Sequence, residues 1–433
     1  MAGTNATITA LDAAMKIIYH KYRDLTYKDR PFLGTLPKKK VSGKSNHYPI
    51  KYGNGTTGAA RFSTAQTNFA PPKYEAWESS AAQDYALGRI DGKAVRAGIA
   101  GGMVEGLADS VQACADAILA HLSDSISIRC FRPASGWRAQ ILSVDASANT
   151  ITLVNPSEAA CFEVGMVCNA GRPTGGVAAK NVGSPMTTIR ADFHASGTAT
   201  GTITGINRNT GVITFSDIYA STDVVAYDYL CRAGDQPVST VNQCQSGLLE
   251  WCPASAPDAT AFFGVDRTAD SMLGGTRLDA SAYGSIEEAI IDGCSLAGEM
   301  GGMPKNVVMG WRKWTAFIKE IGSKTNYERI QLQAINGAGK AIADIGYRAI
   351  VVHSNTGDVN VFADRHCPHD YCWAYDPNDF VLESLGDLVG FDTFENGSTW
   401  RQVYNEDSFE ARGLSYPQLV DIAPGNGCII TLP

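Results

Sequence analysis

The sequence predicts an α+β chain built from several modules in series, and three observations carry that reading. One apolar stripe runs at helical spacing from Val95 to Leu122, far longer than an ordinary helix. Residues 130–240 switch to Thr, Val, Gly and Ala in short alternating runs, the pattern of strands. The last third mixes both signals. At 433 residues the chain exceeds the roughly 250–300 residues that one hydrophobic core serves, so more than one module is expected.

Residues 8–22, ITALDAAMKIIYHKY, place Leu11, Met15, Ile18 and Tyr22 on one helical face, with Thr9 and Asp12 as a capping box. The segment that follows has two prolines and no period, so it reads as an extended arm ending in Lys38, Lys39 and Lys40. From 41 to 91 the pattern is strand-like. Tyr48, Ile50 and Tyr52 alternate, GNGTTG at 53–58 marks a turn, and a second arm returns through Phe62, Phe69, Tyr74, Trp77 and Tyr85. This predicts a long hairpin-like loop. Arms of about 15 residues would reach on the order of 50 Å, yet an isolated two-stranded ribbon is marginal in water. A neighbouring subunit is therefore the expected support. Tyr48, Tyr52 and Trp77 read either as core residues or as anchors for such a partner.

The long stripe takes in Val95, Ile99, Met103, Leu107, Val111, Cys114, Ile118 and Leu122, and predicts a helix over 92–124. At about 1.5 Å per residue it would be roughly 50 Å long. Gly98, Gly101, Gly102 and Gly106 each cost up to about 1 kcal/mol relative to Ala, unless something packs closely against that face. Inside the β-rich stretch, Val144 to Leu153 is echoed by Ile206 to Phe215 at an offset of 62 residues. Cys168-Asn-Ala-Gly171 is likewise echoed by Cys231-Arg-Ala-Gly234 at an offset of 63. Two copies are too few for a solenoid, so a small β-barrel or sandwich of paired hairpins is expected. Further on, Ser285 to Glu288 forms a capping box before a helix through Ile286, Ala289, Ile290 and Ala297. Strands are expected at 304–309, 347–353, 358–363, 372–375 and 428–432, with a helix from Trp311 to Ile321.

Composition narrows the function classes. Charged residues make up 18%, against about 25% in typical soluble proteins, and there are 44 glycines. That suits a chain that hides much of its surface against other chains. A net charge of −8 argues against an exterior that binds nucleic acid generally. No apolar run is long enough to span a bilayer and no signal-peptide order is present, so a soluble, cytosolic product without membrane contact is expected. Eleven cysteines, an odd and scattered set that includes Cys114, Cys294 and Cys428, read as reduced buried thiols.

Chemistry-bearing patterns are weak. His366-Cys367-Pro368-His369-Asp370-Tyr371-Cys372 offers zinc-binding atoms, but one short loop seldom wraps an ion alone, and an ordinary surface turn between strands is expected. Gly339-Lys340 lacks the upstream glycine and the following hydroxyl of a phosphate loop. Gly293-Cys294-Ser295-Leu296-Ala297 lies within a predicted helix, where a nucleophile elbow needs a sharp turn. The sequence has no HExxH and no compelling triad. No catalytic, cofactor-binding or metal residues are expected. Lys38 to Lys40 read as a contact for packaged DNA or a neighbour's acidic surface, or else as a solvated loop.

Several segments, taken in order, resemble the tailed-bacteriophage major capsid proteins over nearly the whole chain. They are YKDRPFLGTLPKKKVSGKSNHYPIKYGN at 27–54, the Trp77 region with Ile90-Asp91-Gly92-Lys93-Ala94 ahead of the long helix, and Pro304 to Met309 before a helix bearing Trp314. Asp364-Arg365 ahead of Ala374-Tyr375-Asp376-Pro377, and Asp407 to Arg412 with Pro424 and Asn426, complete the set. The resemblance implies an N-terminal arm at 1–40, an extended loop at 41–91 and the spine helix of a peripheral domain at 92–129. It further implies a β-rich insertion domain at 130–240, with an axial domain and the remainder of the peripheral domain at 241–433. No removable region is expected ahead of the helix at residue 8. The implied function is self-assembly into hexamers and pentamers of an icosahedral shell around DNA, with no enzymatic activity and no cofactor. Portal, scaffold or decoration proteins are the implied further partners, and packaged DNA would be touched non-specifically on the inner face. The chain would reside in the virion capsid, and in the host cytoplasm during assembly. Candidate inter-subunit contacts are Leu11, Met15, Ile18, Lys38, Lys39, Lys40, Tyr48, Ile50, Tyr52, Phe62 and Trp77. Two alternatives remain, an encapsulin-like compartment shell and a β-sandwich hydrolase or carbohydrate-binding protein. The latter leaves the long helix and the hairpin unexplained.

Overall fold

The structure, a computed structural model, describes residues 30–55, 58–93, 104–173, 186–189, 200–216, 224–237, 242–324, 350–392 and 399–433. The expected N-terminal helix with Leu11, Met15 and Ile18 lies outside them, as do residues 94–103, the side chain of Leu107, and Gly339-Lys340.

In chain order the strands are β1 (Lys38–Val41), β2 (Asn46–Gly53), β3 (Lys73–Ser79) and β4 (Asp84–Asp91), then β5 (Trp137–Asp145), β6 (Thr150–Leu153), β7 (Val167–Pro173) and β8 (Met186–Ile189). Next come β9 (Gly201–Asn207), β10 (Val212–Phe215), β11 (Tyr229–Arg232), β12 (Thr276–Asp279), β13 (Asn306–Gly310), β14 (Ile350–Ser354) and β15 (Gly357–Asp364). The last are β16 (Tyr371–Tyr375), β17 (Phe380–Leu385), β18 (Gly390–Phe391), β19 (Trp400–Gln402), β20 (Ser408–Ser415), β21 (Pro417–Asp421) and β22 (Cys428–Thr431).

The long helix is described over Val104–Arg129. Of the predicted stripe, Ile118 and Leu122 are buried, and the same step carries on to Ile126, so the helix outruns its expected end at 124. Its last turn tightens to Phe131 N–H on Ile128 O and Arg132 N–H on Arg129 O, and Pro133 has no N–H to prolong the ladder. The stripe packs on a sheet in which β20 pairs with β4 on one edge and with β18 and β19 on the other. The close approach is made by glycines of the strands. A Cβ on Gly413 would lie 2.3 Å from Ile118 Cγ2 and 2.9 Å from Leu122 Cδ1, and one on Gly88 would lie 2.6 Å from Cys114 Sγ.

Strands β5, β6, β10, β9, β7 and β11 pair in that order, and β11 returns to β5, so six antiparallel strands close into a barrel with β8 added to β7. Ile141, Ile151, Leu153, Ile203, Ile213 and Phe215 are among the side chains that fill it. The sequence echo is a structural dyad. Ile151 and Ile213 occupy equivalent positions and face each other across β6 and β10. Across β7 and β11, Cys168 faces Arg232 and Asn169 faces Cys231, which exchange under the offset of 63.

The third body is a six-stranded mixed sheet of order β12-β22-β16-β13-β15-β14. Helices Ile286–Glu299 and Trp311–Lys324 cover one face, the first capped as expected by Ser285 accepting from Glu288 N–H. The other face, through Val308, Trp373 and Ile429, shares a core with Phe32, Ile126, Phe131 and the small sheet β1-β17-β21. Phe32 is wholly buried, its ring 4.8 Å from Phe131 and 5.4 Å from Tyr375.

Three expectations are corrected. Lys38, Lys39 and Lys40 do not belong to a free arm but to an edge strand, because β1 pairs in parallel with β17 over 340 residues away. Phe62 opens a short helix, Phe62–Thr67, rather than continuing a strand. The His366–Cys372 segment is no surface turn. His366, Cys367 and Cys372 are buried, because the turn is pressed between the long helix and the six-stranded sheet.

Leu122 sits with no exposure at the centre of the helix–sheet contact. Leu122→Ala should cost about 2–5 kcal/mol, seen as a lower urea midpoint of the unassembled subunit at unchanged m-value.

Candidate assembly surfaces

The hairpin follows from alternation. In β2 the half-buried Tyr48, Ile50 and Tyr52 alternate with the exposed His47, Pro49 and Lys51, and β3 brings Trp77 opposite Tyr48. Burial fades outward, since Glu75, opposite Ile50, is exposed. The base is held by this chain itself. Trp77 is fully buried, its ring edge-on to Trp251 at 5.3 Å and its Nε1 donating to Ile422 O at 3.4 Å. Glu78 N–H donates to Phe263 O. Trp77 is thus corrected from an inter-subunit contact to a core residue, because Trp251, Phe262 and Val265 close over it. The expectation that a neighbour must support the whole hairpin falls with it. Tyr48, Ile50 and Tyr52 line the same internal cluster, which leaves them only part of their surface to offer outward.

The outer end is different. Phe62 is 79% exposed and Phe69 is 69% exposed, with Tyr74 also outward. Of the three lysines, Lys40 pairs with Asp387 at 2.5 Å in full solvent, which contributes little. Lys39 lies over the Tyr48 ring, 5.1 Å from its centre.

A second surface was missed by sequence reasoning. On the face of β4 and β20 turned away from the long helix, Tyr85 and Leu87 are exposed, beside Arg89 and Arg412, which donate to Glu410 at 3.0 and 2.6 Å. The signal was present: Asp84, Gly88 and Ile90 are buried and alternate with Tyr85, Leu87 and Arg89 at period two.

A buried joint ties β4 to the long helix and the barrel. At the end of the long helix, Arg129 meets Asp84 at 3.3 Å and Asp235 at 2.9 Å. Arg232 meets the same two carboxylates at 2.7 Å each, and Arg138 reaches Asp235 at 3.3 Å. Burial pushes the Asp235 carboxyl up, but Arg129, Arg232 and Arg138 outweigh it and hold the group well below the usual carboxylate range. Asp84 is lowered for the same reason, burial being outweighed by Arg129 and Arg232. His121, whose Nε2 lies 3.1 Å from Arg232, is lowered by burial and then by Arg232 and Arg138, which favours its neutral form. A second buried pair, Arg132 with Glu158 at 3.1 Å, stacks its guanidinium on Trp137.

The chemical patterns resolve as structure. Gly293-Cys294-Ser295-Leu296-Ala297 lies inside helix Ile286–Glu299, with no elbow. Cys367 and Cys372 point into different hydrophobic clusters, on opposite faces of the sheet. Among the described residues no three His, Cys, Asp or Glu side chains gather as metal ligands. All eleven cysteines are free, ten of them buried. No described helix is long and apolar enough to cross a membrane.

No family model matches this sequence and no curated protein matches it. Solved structures do. The capsid asymmetric unit of cyanophage A-1(L) matches at 10% identity over 95% of this chain and 95% of that one, with a TM-score of 0.55. A Mycobacterium phage Ogopogo chain matches at 7% identity over 98% and 99%, with a TM-score of 0.41. The SrpI encapsulin of Synechococcus elongatus matches at 7% identity over 97% and 94%, with a TM-score of 0.40. The first likeness, end to end, gives this α+β chain the fold of a phage capsid subunit.

Two measurements test the joint and its surroundings. Asp235→Asn leaves buried guanidinium groups short of a charge and should cost about 3–5 kcal/mol near neutral pH in urea unfolding. Because the folded carboxyl titrates below its unfolded value, the wild-type advantage should be whole above roughly pH 4 and shrink as pH falls further. His366 is pushed down to about 3 by burial first and then by Arg365 and Arg30. Wild-type stability should therefore fall as pH drops from about 6.5 toward 3, by up to roughly 1.4 kcal/mol per unit from this group, and His366→Gln should flatten that limb.

Proposed function

We propose that this chain is the major capsid protein of a tailed bacteriophage, a non-enzymatic subunit that builds an icosahedral shell from hexamers and pentamers of itself around DNA. The observation that carries the reading is the hairpin. Its base is locked into a chain with a phage capsid fold, while its tip exposes Phe62, Phe69 and Tyr74. Apolar groups held out on a rigid ribbon gain by burial against another molecule, at roughly 25 cal/mol per Å² removed from water.

In this reading residues 1–40 form an N-terminal arm whose end is tied to the body as the edge strand, with Leu11, Met15 and Ile18 as contacts to a neighbour. Residues 41–91 form the extended loop, its tip lying on the adjacent subunit, 92–129 the spine helix, 130–240 an insertion domain, and 241–433 the axial domain with the rest of the peripheral domain. Phe62 and the outer surfaces of Tyr48, Ile50 and Tyr52 meet the adjacent copy. Lys38 and Lys40, exposed on the edge strand, face packaged DNA or an acidic neighbour. Charged residues on an unpaired edge also discourage strand addition in the wrong place. Portal, scaffold or decoration proteins would be further partners. The chain would be found in the virion, and in the host cytoplasm while shells form.

Gly53 and Lys73 face each other across the hairpin, so residues 54–72 can be replaced by Asn-Gly without moving its base. Electron microscopy of purified wild-type protein should show closed shells of one diameter class. The shortened variant should melt like wild type yet give no shells. Intact particles from it would remove the role given to the tip, and wild-type protein that stays monomeric at high concentration would defeat the proposal.

A further inference from the structure

We infer that Glu383 is a latch that fixes the direction of the hairpin before any partner arrives, with Tyr48 and Ser79 as its two bolts. Glu383 stands in the middle of β17, between Lys39 on β1 and Gln418 on β21, and is 2% exposed. Tyr48 OH donates to its Oε1, and Ser79 Oγ donates to its Oε2 at 2.5 Å. Tyr48 belongs to β2 and Ser79 to β3. One carboxylate of the body therefore grips both strands of the ribbon. Lys39, beside Glu383 in register, sets its ammonium 3.5 Å from the Tyr48 oxygen and so lends the buried anion a cation on the solvent side.

The geometry asks for more than packing. The ribbon joins the body through two short connections, residues 42–45 and 80–83. The aromatic contacts of Trp77 resist separation without a preferred direction, and the neutral hydrogen bonds at the base, Trp77 Nε1 to Ile422 O and Glu78 N–H to Phe263 O, both come from β3. Hydrogen bonds to a carboxylate are directional and about twice as strong as neutral ones, and those of Glu383 engage β2 as well. Burying a carboxylate is costly, and here the group is turned toward the hairpin rather than toward the sheet that bears it. A ribbon already aimed loses less freedom when its tip docks. Glu383 is thus a positioning residue for assembly. Its effect on shells rests on the capsid reading above, whereas its effect on the hairpin does not.

The test uses the full-length, unassembled subunit and amide hydrogen exchange. Tyr48→Phe combined with Ser79→Ala should speed exchange at 46–53 and 73–79 by about tenfold or more, while the barrel and the six-stranded sheet keep wild-type protection. Glu383→Gln, whose amide oxygen still accepts one hydroxyl, should fall between wild type and the double variant. Shell yield at fixed concentration should follow the same order. Unchanged hairpin exchange in both variants would overturn the latch, and so would an equal rise in every region, which would make Glu383 an ordinary core group. Loosened hairpins that assemble as well as wild type would overturn the positioning role. If wild type forms no shells, the capsid reading fails while the exchange result still decides the latch.

Discussion

The placement of the long helix, the sheet beneath it and the barrel depends on the buried charges where the helix ends. Three guanidinium groups, from Arg129, Arg138 and Arg232, close on two carboxylates, Asp84 and Asp235. They come from three pieces: Arg129 from the helix, Asp84 from the sheet beneath it, and Arg138, Arg232 and Asp235 from the barrel and the turn leaving it. The surplus positive charge lies at the C-terminal end of the long helix, where the helix dipole places partial negative charge. The Arg129 guanidinium also donates to Gln83 O, beside Asp84. Ion pairs of this kind bring little net stability after desolvation, but they tolerate few orientations. Gly136, with φ of +77°, adds a steric condition, since a Cβ there would lie 2.3 Å from Asp235 O.

The barrel shows how such a joint can be added to a symmetrical object. Its two halves repeat β5-β6-β7 as β9-β10-β11, and the dyad passes between Ile151 and Ile213. Yet Arg172 stands where the second half has Asp235. The end of β7 extends the sheet by pairing with β8, while the end of β11 enters the ion network. The repeated halves close the ring, and the positions at which they differ give one half a fixed attachment. Asn155 to Asp370 and Arg312 to Asn209 O secure it against the six-stranded sheet.

What could be read from the sequence follows from how far each determinant reaches along the chain. The Ser285 cap needs four residues, the stripe through Ile118 and Leu122 needs two turns, and the echo around Ile151 is a comparison of letters; all three were legible. The support of the hairpin was not. Trp77 finds Trp251 and Ile422, and Lys39 finds Glu383, across separations that no local pattern encodes. An aromatic residue on a ribbon reads the same whether its cluster comes from its own chain or another. The same limit hid the burial of His366, whose neighbour Ser127 lies on the long helix.

A ribbon fastened at one end and apolar at the other is a poor arrangement for a solitary protein. The free energy of folding is already served at Trp77 and Tyr48, so Phe62 and Phe69 add nothing to the monomer and expose surface that water disfavours. Leu87 and Tyr85 repeat that mismatch on the outside of a sheet whose inner face packs on the long helix. Two uncovered apolar surfaces, held apart on one rigid frame, cannot satisfy each other within a single copy. In the proposed shell a neighbouring copy would cover them, and contacts between unlike surfaces would run from one subunit to the next until the rotation closes. The Arg–Asp joint and the grip on the hairpin would then serve to keep the repeated angle constant from copy to copy.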